Sequence, residues 1–447
     1  SWTLSGQLNQ AFNDFSRPLF LIGEGLRTSG QIKSFLSIVE KHNIPFVTTY
    51  LGADICRSDH PLNIGRVGIK GSRAGNFALQ NSTLLMTLGC SLSTPVTGFN
   101  PDGFAPKAYK IVVDIDEKEH AKPAIRKKIN HFIHGDLKDV IEVLSHLVYR
   151  DYGEWPDKCL HWKNKWPVCL PEYKDTPNAV NMYYLIDRLS AAAKEGCRFV
   201  ADAGSAIYVP SQALQYKDNQ RFVLSAAQAD MGFTLPAAIG CALDDNQVIA
   251  ITGDGSLQMN IQEFQTLVQY NLPVKLFVMN NNGYLSIRAT QKKFFEGRLF
   301  GTDKQSGISF PILNKVCEAY GLQYALIDKN ETIDDNIKEV LEKDGPVICE
   351  VICPEDQLVI PTLGTKVENN KIFPMPLENM SPFLSDEEVK IKDCLKNSRI
   401  SDFKRNISGD WISYDGKRIW NFEEDLVYLY EKVQSFEIYL CLFMFFD

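Results

Sequence analysis

The sequence predicts an α/β protein made of two parallel-sheet, three-layer domains followed by an irregular C-terminal tail. Three observations lead there. Two stretches, about residues 15 to 150 and 180 to 355, alternate short β-rich apolar runs with amphipathic helices. The strand candidates in both stretches end in small or polar residues, where a parallel sheet opens towards a ligand edge. After about residue 356 the alternation gives way to a Pro-rich segment, "PTLGTKVENNKIFPMPLENMSPF", read as coil.

In chain order, residues 1–150 form the first α/β domain. "PLFLIG", "IPFVTTY", "TLLMTLG" and "YKIVVDID" read as strands. "QIKSFLSIVEKHN" and "LKDVIEVLSHLV" carry the i, i+3/i+4 apolar spacing of helices. Residues 151–179, rich in Trp, Lys and Pro, read as a linker packed on the surface. Residues 180–384 form the second α/β domain. Its strand candidates are "CRFVADAG", "RFVLS", "QVIAITGDG", "VKLFVMNNNG" and "PVICEVI". Its helix candidates are "AVNMYYLIDRLSAAAKE", "NIQEFQTLVQYN" and "PILNKVCEAYG". Residues 385–447, charged and aromatic, match no pattern and stay unassigned.

Composition narrows the function classes. The chain has 447 residues, 45% hydrophobic and 23% charged, with a net charge of −8 and no basic stripe, so nucleic acid is not an expected partner. Eleven cysteines, an odd number with no CxxC pair, read as reduced thiols of a cytoplasmic protein rather than a disulfide frame or a zinc site. The start, "SWTLSGQLNQ", is neither a signal nor a transit peptide. Opening on Ser1 without Met, the chain is expected to be a processed or truncated form. "IYLCLFMFF" near the end is too short to span a bilayer and reads as a buried strand or sticky tail, so no membrane partner is expected.

The chemistry concentrates at "IAITGDGSLQMN". Gly253 and Gly255 flank Asp254 directly after an apolar strand candidate. A plain Asp-Gly turn is the simple reading. A second strand candidate ends in "MNNNGY", and Asn281 follows Asp254 by 27 residues, the length of one helix and one strand. That spacing brings both to one edge of the sheet. A carboxylate, an amide oxygen and a backbone carbonyl make a hard-oxygen half-shell suited to Mg²⁺ that shares its other positions with phosphate and water. The helix that follows turns its free N–H groups towards an anion, and Ser256 adds a hydroxyl.

"GDGS" followed 27 residues later by "NNNGY" resembles the signature of the thiamine diphosphate (ThDP) enzymes, those like acetolactate synthase in particular. "SAAQADMGFTLPAAIGCAL" (Ser225 to Leu243) resembles the stretch before that signature. "SIRATQKKFFEGRLFGTDKQSGISFP" looks like the mobile loop over the active site of such enzymes. "GRVGIKGSRAGNFALQNSTLLMTLG" and "VDIDEKEHAKPAI" resemble their central domain. The resemblance covers about residues 15 to 385. It implies a central domain at 1–150 and a diphosphate- and Mg²⁺-binding domain at 180–384. It further implies Asp254, Asn281 and the Gly283 carbonyl as metal ligands, with Gly204, Ser205, Gly255, Ser256, Gly283 and Tyr284 around the cofactor. Met231 would wedge between the two cofactor rings, although a core methionine is the plain alternative. The Ala229 carbonyl would accept from the 4′-amino group, at a position where the family more often has Gly.

The implied reaction is decarboxylation of a 2-keto acid, by default pyruvate, with carboligation, in a homodimer or homotetramer. Phe294 to Phe300 would form a lid. Family members carry a further domain that binds the pyrimidine and supplies a glutamate. The sequence given opens in the central domain, so that half of the site is expected from elsewhere. Glu24, between two glycines, is not its replacement. Two rivals follow: a split enzyme completed by a pyrimidine-domain subunit, and a non-catalytic ThDP-binding regulatory subunit. FAD, which acetolactate synthases bind in the central domain, is doubtful. "GEG" (Gly23 to Gly25) stands for the family's "GGG", and Ser91 and Pro95 occupy the positions where arginines are expected. Asp114 and Asp116 serve equally well as ribose partners or as capping residues. His131 and His134 read as strand-end residues.

Overall fold

The computed structural model describes residues 4–225, 228–244, 246–368, 371–385 and 388. Apart from Ser385 and Glu388, the segment assigned as a tail lies outside the described residues, and so does "IYLCLFMFF".

Each α/β stretch folds around a six-stranded, all-parallel sheet. The first sheet contains β1 (Pro18–Ile22), β2 (Phe46–Thr48), β3 (Asn63–Arg66), β4 (Leu84–Leu88), β5 (Tyr109–Asp114) and β6 (His131–His134). Their order is β3-β2-β1-β4-β5-β6, so the chain winds one way from β1 and then reverses between β1 and β4. The second sheet contains β7 (Arg198–Ala201), β8 (Arg221–Leu224), β9 (Val248–Gly253), β10 (Val274–Asn280), β11 (Gln323–Ile327) and β12 (Val347–Ile352). Its order is β11-β12-β10-β9-β7-β8, with the reversal between β7 and β9. Central strands are apolar along their whole length because helices cover both faces: "PLFLI" and "LLMTL" are buried at every position.

The helices read from periodicity form at Ile32–His42, Leu137–Ser145, Met182–Ala192 and Leu313–Tyr320. "NIQEFQTLVQYN" starts as a short 3₁₀ turn and is α-helical only over Phe264–Gln269. The connector at 151–179 contains a helix, Trp155–Lys165, whose Trp155, Cys159 and Trp162 are buried, with the Trp155 indole N–H donating to the Pro18 carbonyl at 2.8 Å. The Pro-rich segment is not all coil: Thr362–Leu363 pairs antiparallel with Met380–Ser381, and Thr365–Glu368 with Lys371–Pro374. No helix among the described residues is long and apolar enough to cross a membrane.

Charged side chains tie the two sheets' domains together. Arg66, at the end of β3, is buried and donates to the Gln212 and Leu214 carbonyls. Asp54, 7% exposed, accepts from Arg221 Nε at 2.9 Å and from Arg27. Glu24 completes that network, 3.3 Å from Arg221 Nη2 and 3.4 Å from Arg27 Nε.

Candidate functional site

Three neighbouring strands of the second sheet end at one edge. In the register of β9 with β10, Gly253 lies opposite Met279, so Asp254 and Asn281 emerge side by side. On the other flank of β9, Ala201 of β7 pairs with Ile251, which brings Asp202 to Ser205 to the same edge. This is where the strand order reverses, the place where open parallel sheets bind ligands.

Asp254 is buried at 7% exposure and opens the short helix Asp254–Leu257. Its Oδ1 accepts from the Gly255 N–H at 2.8 Å and its Oδ2 from the Gly283 N–H at 3.0 Å. The Asn281 N–H also points to it. Burial nevertheless pushes the carboxyl up to about 6, because three amides do not replace the lost water. A cation would compensate that charge. Asn281 supplies a complementary observation: its side-chain Oδ1 is buried and has no hydrogen-bond partner among the described residues.

The backbone around these groups is shaped by close contacts. At Gly283, φ is +145° and a Cβ would sit 1.9 Å from the Thr302 carbonyl oxygen, so only glycine fits. A Cβ on Gly255 would lie 2.3 Å from Cε1 of Tyr284, whose ring packs edge-on against Phe310. Arg288, buried at 3% exposure, holds the loop from behind, with Nη2 donating to the Asn281 carbonyl at 3.0 Å.

Gly204, at φ +57°, precedes the helix Ser205–Ala213. The Ser205 hydroxyl is buried at the first turn of that helix and also lacks a partner among the described residues. An unpaired hydroxyl beside free helix N–H groups suits an anion. Ser256 differs. Its hydroxyl donates to Asp202 Oδ2 at 2.6 Å and accepts from the Gly232 N–H at 2.8 Å. Its backbone N–H remains the group it can offer to a ligand.

Asp202, fully buried, was not singled out from the sequence. It accepts from the Ala203 N–H at 2.7 Å, Thr252 Oγ1 at 2.9 Å and Ser256 Oγ, and so fastens the ends of β7 and β9 together. The only signal was an acidic residue at a strand end, in "ADAGS". Arg288 gave no signal at all.

Met231 is 39% exposed and fills no core. Ala229 has φ +52°, a conformation that favours glycine. Phe294, the last residue of the helix Leu285–Phe294, and Phe295 and Phe300 after it are exposed, and Gln291 ties the loop back by accepting from Phe300 N and donating to its carbonyl.

The first sheet's candidate residues lie elsewhere. A Cβ on Gly23 would meet the Gly89 carbonyl oxygen at 2.1 Å, and one on Gly25 would meet Gly89 Cα at 2.6 Å. Backbone packing alone therefore requires these glycines. Asp114 Oδ1 accepts from the Asp116 N–H at 3.0 Å, and Asp116 caps the next turn through Lys118 N at 2.9 Å. His131 and His134 sit on β6, with His134 Nε2 3.1 Å from the Ile115 carbonyl.

The residues at the second edge fit ThDP and a divalent metal by their chemistry: an orphaned amide oxygen beside a desolvated carboxylate, and an orphaned hydroxyl at a helix start. Comparison with known proteins agrees on the cofactor class. The family model described as "Thiamine pyrophosphate enzyme, C-terminal TPP binding domain" matches residues 202–351. The one described as "Thiamine pyrophosphate enzyme, central domain" matches residues 6–144. The acetolactate synthase large subunit of Porphyra purpurea is 29% identical over 367 residues, which cover 80% of this chain and 60% of that protein. The probable acetolactate synthase large subunit of Methanococcus aeolicus is 30% identical over 376 residues, 79% of this chain and 61% of that one. Acetolactate synthase isozyme 1 large subunit of Escherichia coli (strain K12) is 28% identical over 364 residues, with 80% and 62% covered. The chain spans about 60% of the length of the curated relatives it matches.

Proposed function

The chain belongs to the thiamine pyrophosphate enzyme family, carrying its central and C-terminal domains, and on that premise we propose that it is an acetolactate-synthase-like enzyme holding the diphosphate and metal half of a ThDP site. The reaction is decarboxylation of a 2-keto acid, pyruvate by default, with transfer of the resulting fragment to a second carbonyl. The observation that carries this reading is the buried, partnerless Asn281 Oδ1 beside the desolvated Asp254 carboxylate.

Asp254, Asn281 and the Gly283 carbonyl would hold Mg²⁺. The start of the helix at Ser205, with the Ser256 amide and the bare Gly255 backbone beside it, would hold the diphosphate. When bound, ThDP supplies the electron sink that accepts the electrons released as CO₂ leaves. Asp202 fixes both strand ends, Arg288 fixes the Asn281 carbonyl, and Met231 and the Ala229 carbonyl would face the cofactor rings. The aminopyrimidine half and its acid come from further polypeptide, in the same chain or in a separate subunit of a homodimer, homotetramer or split enzyme. A cytoplasmic setting is supported by buried, unpaired thiols such as Cys159, Cys317 and Cys349.

The test is Asp254→Ala, with ThDP titrated calorimetrically in the presence and absence of Mg²⁺. The substitution is expected to abolish Mg²⁺-dependent binding, a loss of at least about 100-fold, because the one anionic ligand of the proposed set goes with the carboxylate. Unchanged affinity would refute the metal assignment.

A further inference from the structure

A second cavity, of ≈ 510 Å³, lies where the ends of β1 and β4 face the helix Ser205–Ala213 of the other domain. Its size falls in the range of small-molecule sites, roughly 300–1,000 Å³. Most of its wall is apolar, including Leu51, Ile69, Val96, Phe99 and Ile207. Ala229, whose carbonyl the proposed function assigns to the cofactor, also lines it.

Two charged side chains line this cavity, and they differ in company. Glu24 is held by Arg27 and Arg221. Lys70 has no ion-pair or hydrogen-bond partner for its Nζ among the described residues. Its ammonium stands 5.4 Å from the centroid of the Tyr208 ring. Burial and the nearby Lys293 push it down to about 8, so it stays mostly charged at neutral pH.

The lysine is also built in. Its N–H donates to the Tyr50 hydroxyl at 2.9 Å, and the preceding Ile69 is fixed at both backbone groups, donating to Pro95 and accepting from Leu363. A half-buried cation in a largely apolar cleft, without an ion-pair partner among the described residues, is costly, and an incoming anion relieves that cost. An aromatic face contributes attraction but does not neutralise the charge.

We propose that this cleft receives the organic-acid substrate, with Lys70 anchoring its carboxylate and the apolar wall selecting acids that carry an apolar side chain. The assignment rests on the function proposed above for the neighbouring site. Lys70 is a binding and specificity residue here; no proton transfer is required of it.

The experiment is calorimetric titration of the full chain with three probes: 4-methyl-2-oxopentanoate, its neutral analogue 4-methylpentan-2-one, and inorganic pyrophosphate with Mg²⁺. The oxo acid is expected to bind at least tenfold more tightly than the ketone. Lys70→Met should erase that difference, Lys70→Arg should keep most of it, and neither should change pyrophosphate affinity. Matching thermal midpoints establish that both variants fold. Oxo-acid affinity unchanged in Lys70→Met overturns the proposal. Loss of pyrophosphate affinity in Lys70→Met overturns it as well, because the lysine then belongs to the diphosphate. If the wild type takes Mg²⁺-pyrophosphate but no oxo acid, the cleft assignment fails alone. If it takes the oxo acid through Lys70 but no Mg²⁺-pyrophosphate, the ThDP-site reading fails and the anion cleft stands.

Discussion

Both sheets reverse their strand order once, and the two reversal points are filled in opposite ways. At the first, between β1 and β4, the glycines that back the Lys70 cleft pack backbone on backbone: Gly25 N donates to the Gly89 carbonyl at 3.1 Å and Gly23 N to Leu88 at 3.1 Å. At the second, between β7 and β9, side chains stand with unmet hydrogen-bonding capacity, at Ser205 on one strand end and at Asn281 further along the same edge. Topology thus offers a crevice twice. What distinguishes a structural closure from a binding site is where the buried polar groups find their partners. Glycines mark both places, so glycine alone does not separate them.

The largest effect should come from breaking the closed point. Gly89 has φ +55°, and an added Cβ would sit 2.6 Å from Gly25 Cα and 3.0 Å from a Leu137 methyl. Gly89→Ala is expected to destabilise by about 3 kcal/mol or more, since the Gly25 backbone cannot move aside and the left-handed φ strains the alanine. Gly253→Ala, at φ −90° with nothing within 4 Å, should stay within about 0.5 kcal/mol. Urea unfolding of both variants measures this directly. Equal losses would mean that the two points are packed alike, and the comparison would collapse.

A smaller effect sharpens the contrast between two serines that start helices. Ser72 accepts from the Gly75 N–H at 3.1 Å and caps the helix Arg73–Asn81, so Ser72→Ala should cost about 1 kcal/mol. It should leave ThDP affinity unchanged. Ser205 has no such partner. Ser205→Ala should therefore keep stability or raise it by up to about 1 kcal/mol, because it removes an unsatisfied buried hydroxyl. ThDP affinity should fall several-fold in that variant. A drop in stability without any change in affinity would assign Ser205 to the fold instead.

The sequence showed the second edge more clearly than the elements around it. Central strands announce themselves as continuous apolar runs, and Asp254 and Asn281 sit at the ends of two of them. The strands that went unread, β3 "NIGR" and β11 "QYALI", lie at sheet edges and hold no continuous apolar run: β3 buries the polar Asn63 and Arg66, and β11 is partly exposed. Helices buried all round were equally silent. Arg73–Asn81 and Ser205–Ala213 are buried at nearly every position, so no polar face creates a period. Asp202 and Lys70 were not legible for a different reason. One matters because of three partners that converge on it, and the other because its ammonium meets an aromatic ring and no ion-pair partner among the described residues. Neither condition is a property of the local sequence.

The smallest effect tests whether the open edge stores strain. Ala229 holds φ +52° where the chain approaches the candidate cofactor site. A left-handed conformation costs an alanine about 1–2 kcal/mol, and glycine avoids that cost while losing about 0.4–1 kcal/mol through its freer unfolded chain. Ala229→Gly should therefore stabilise by roughly 0.5–1 kcal/mol, visible as a raised urea midpoint. ThDP affinity should be unchanged, because the group assigned to the cofactor is a carbonyl that both residues possess. If stability rises while affinity falls, the alanine methyl is what holds that carbonyl in place, and the strain serves preorganisation. If stability falls, the left-handed backbone is imposed by contacts that the methyl itself makes, and position 229 belongs with the closed reversal point, where packing rather than ligand chemistry dictates the residue.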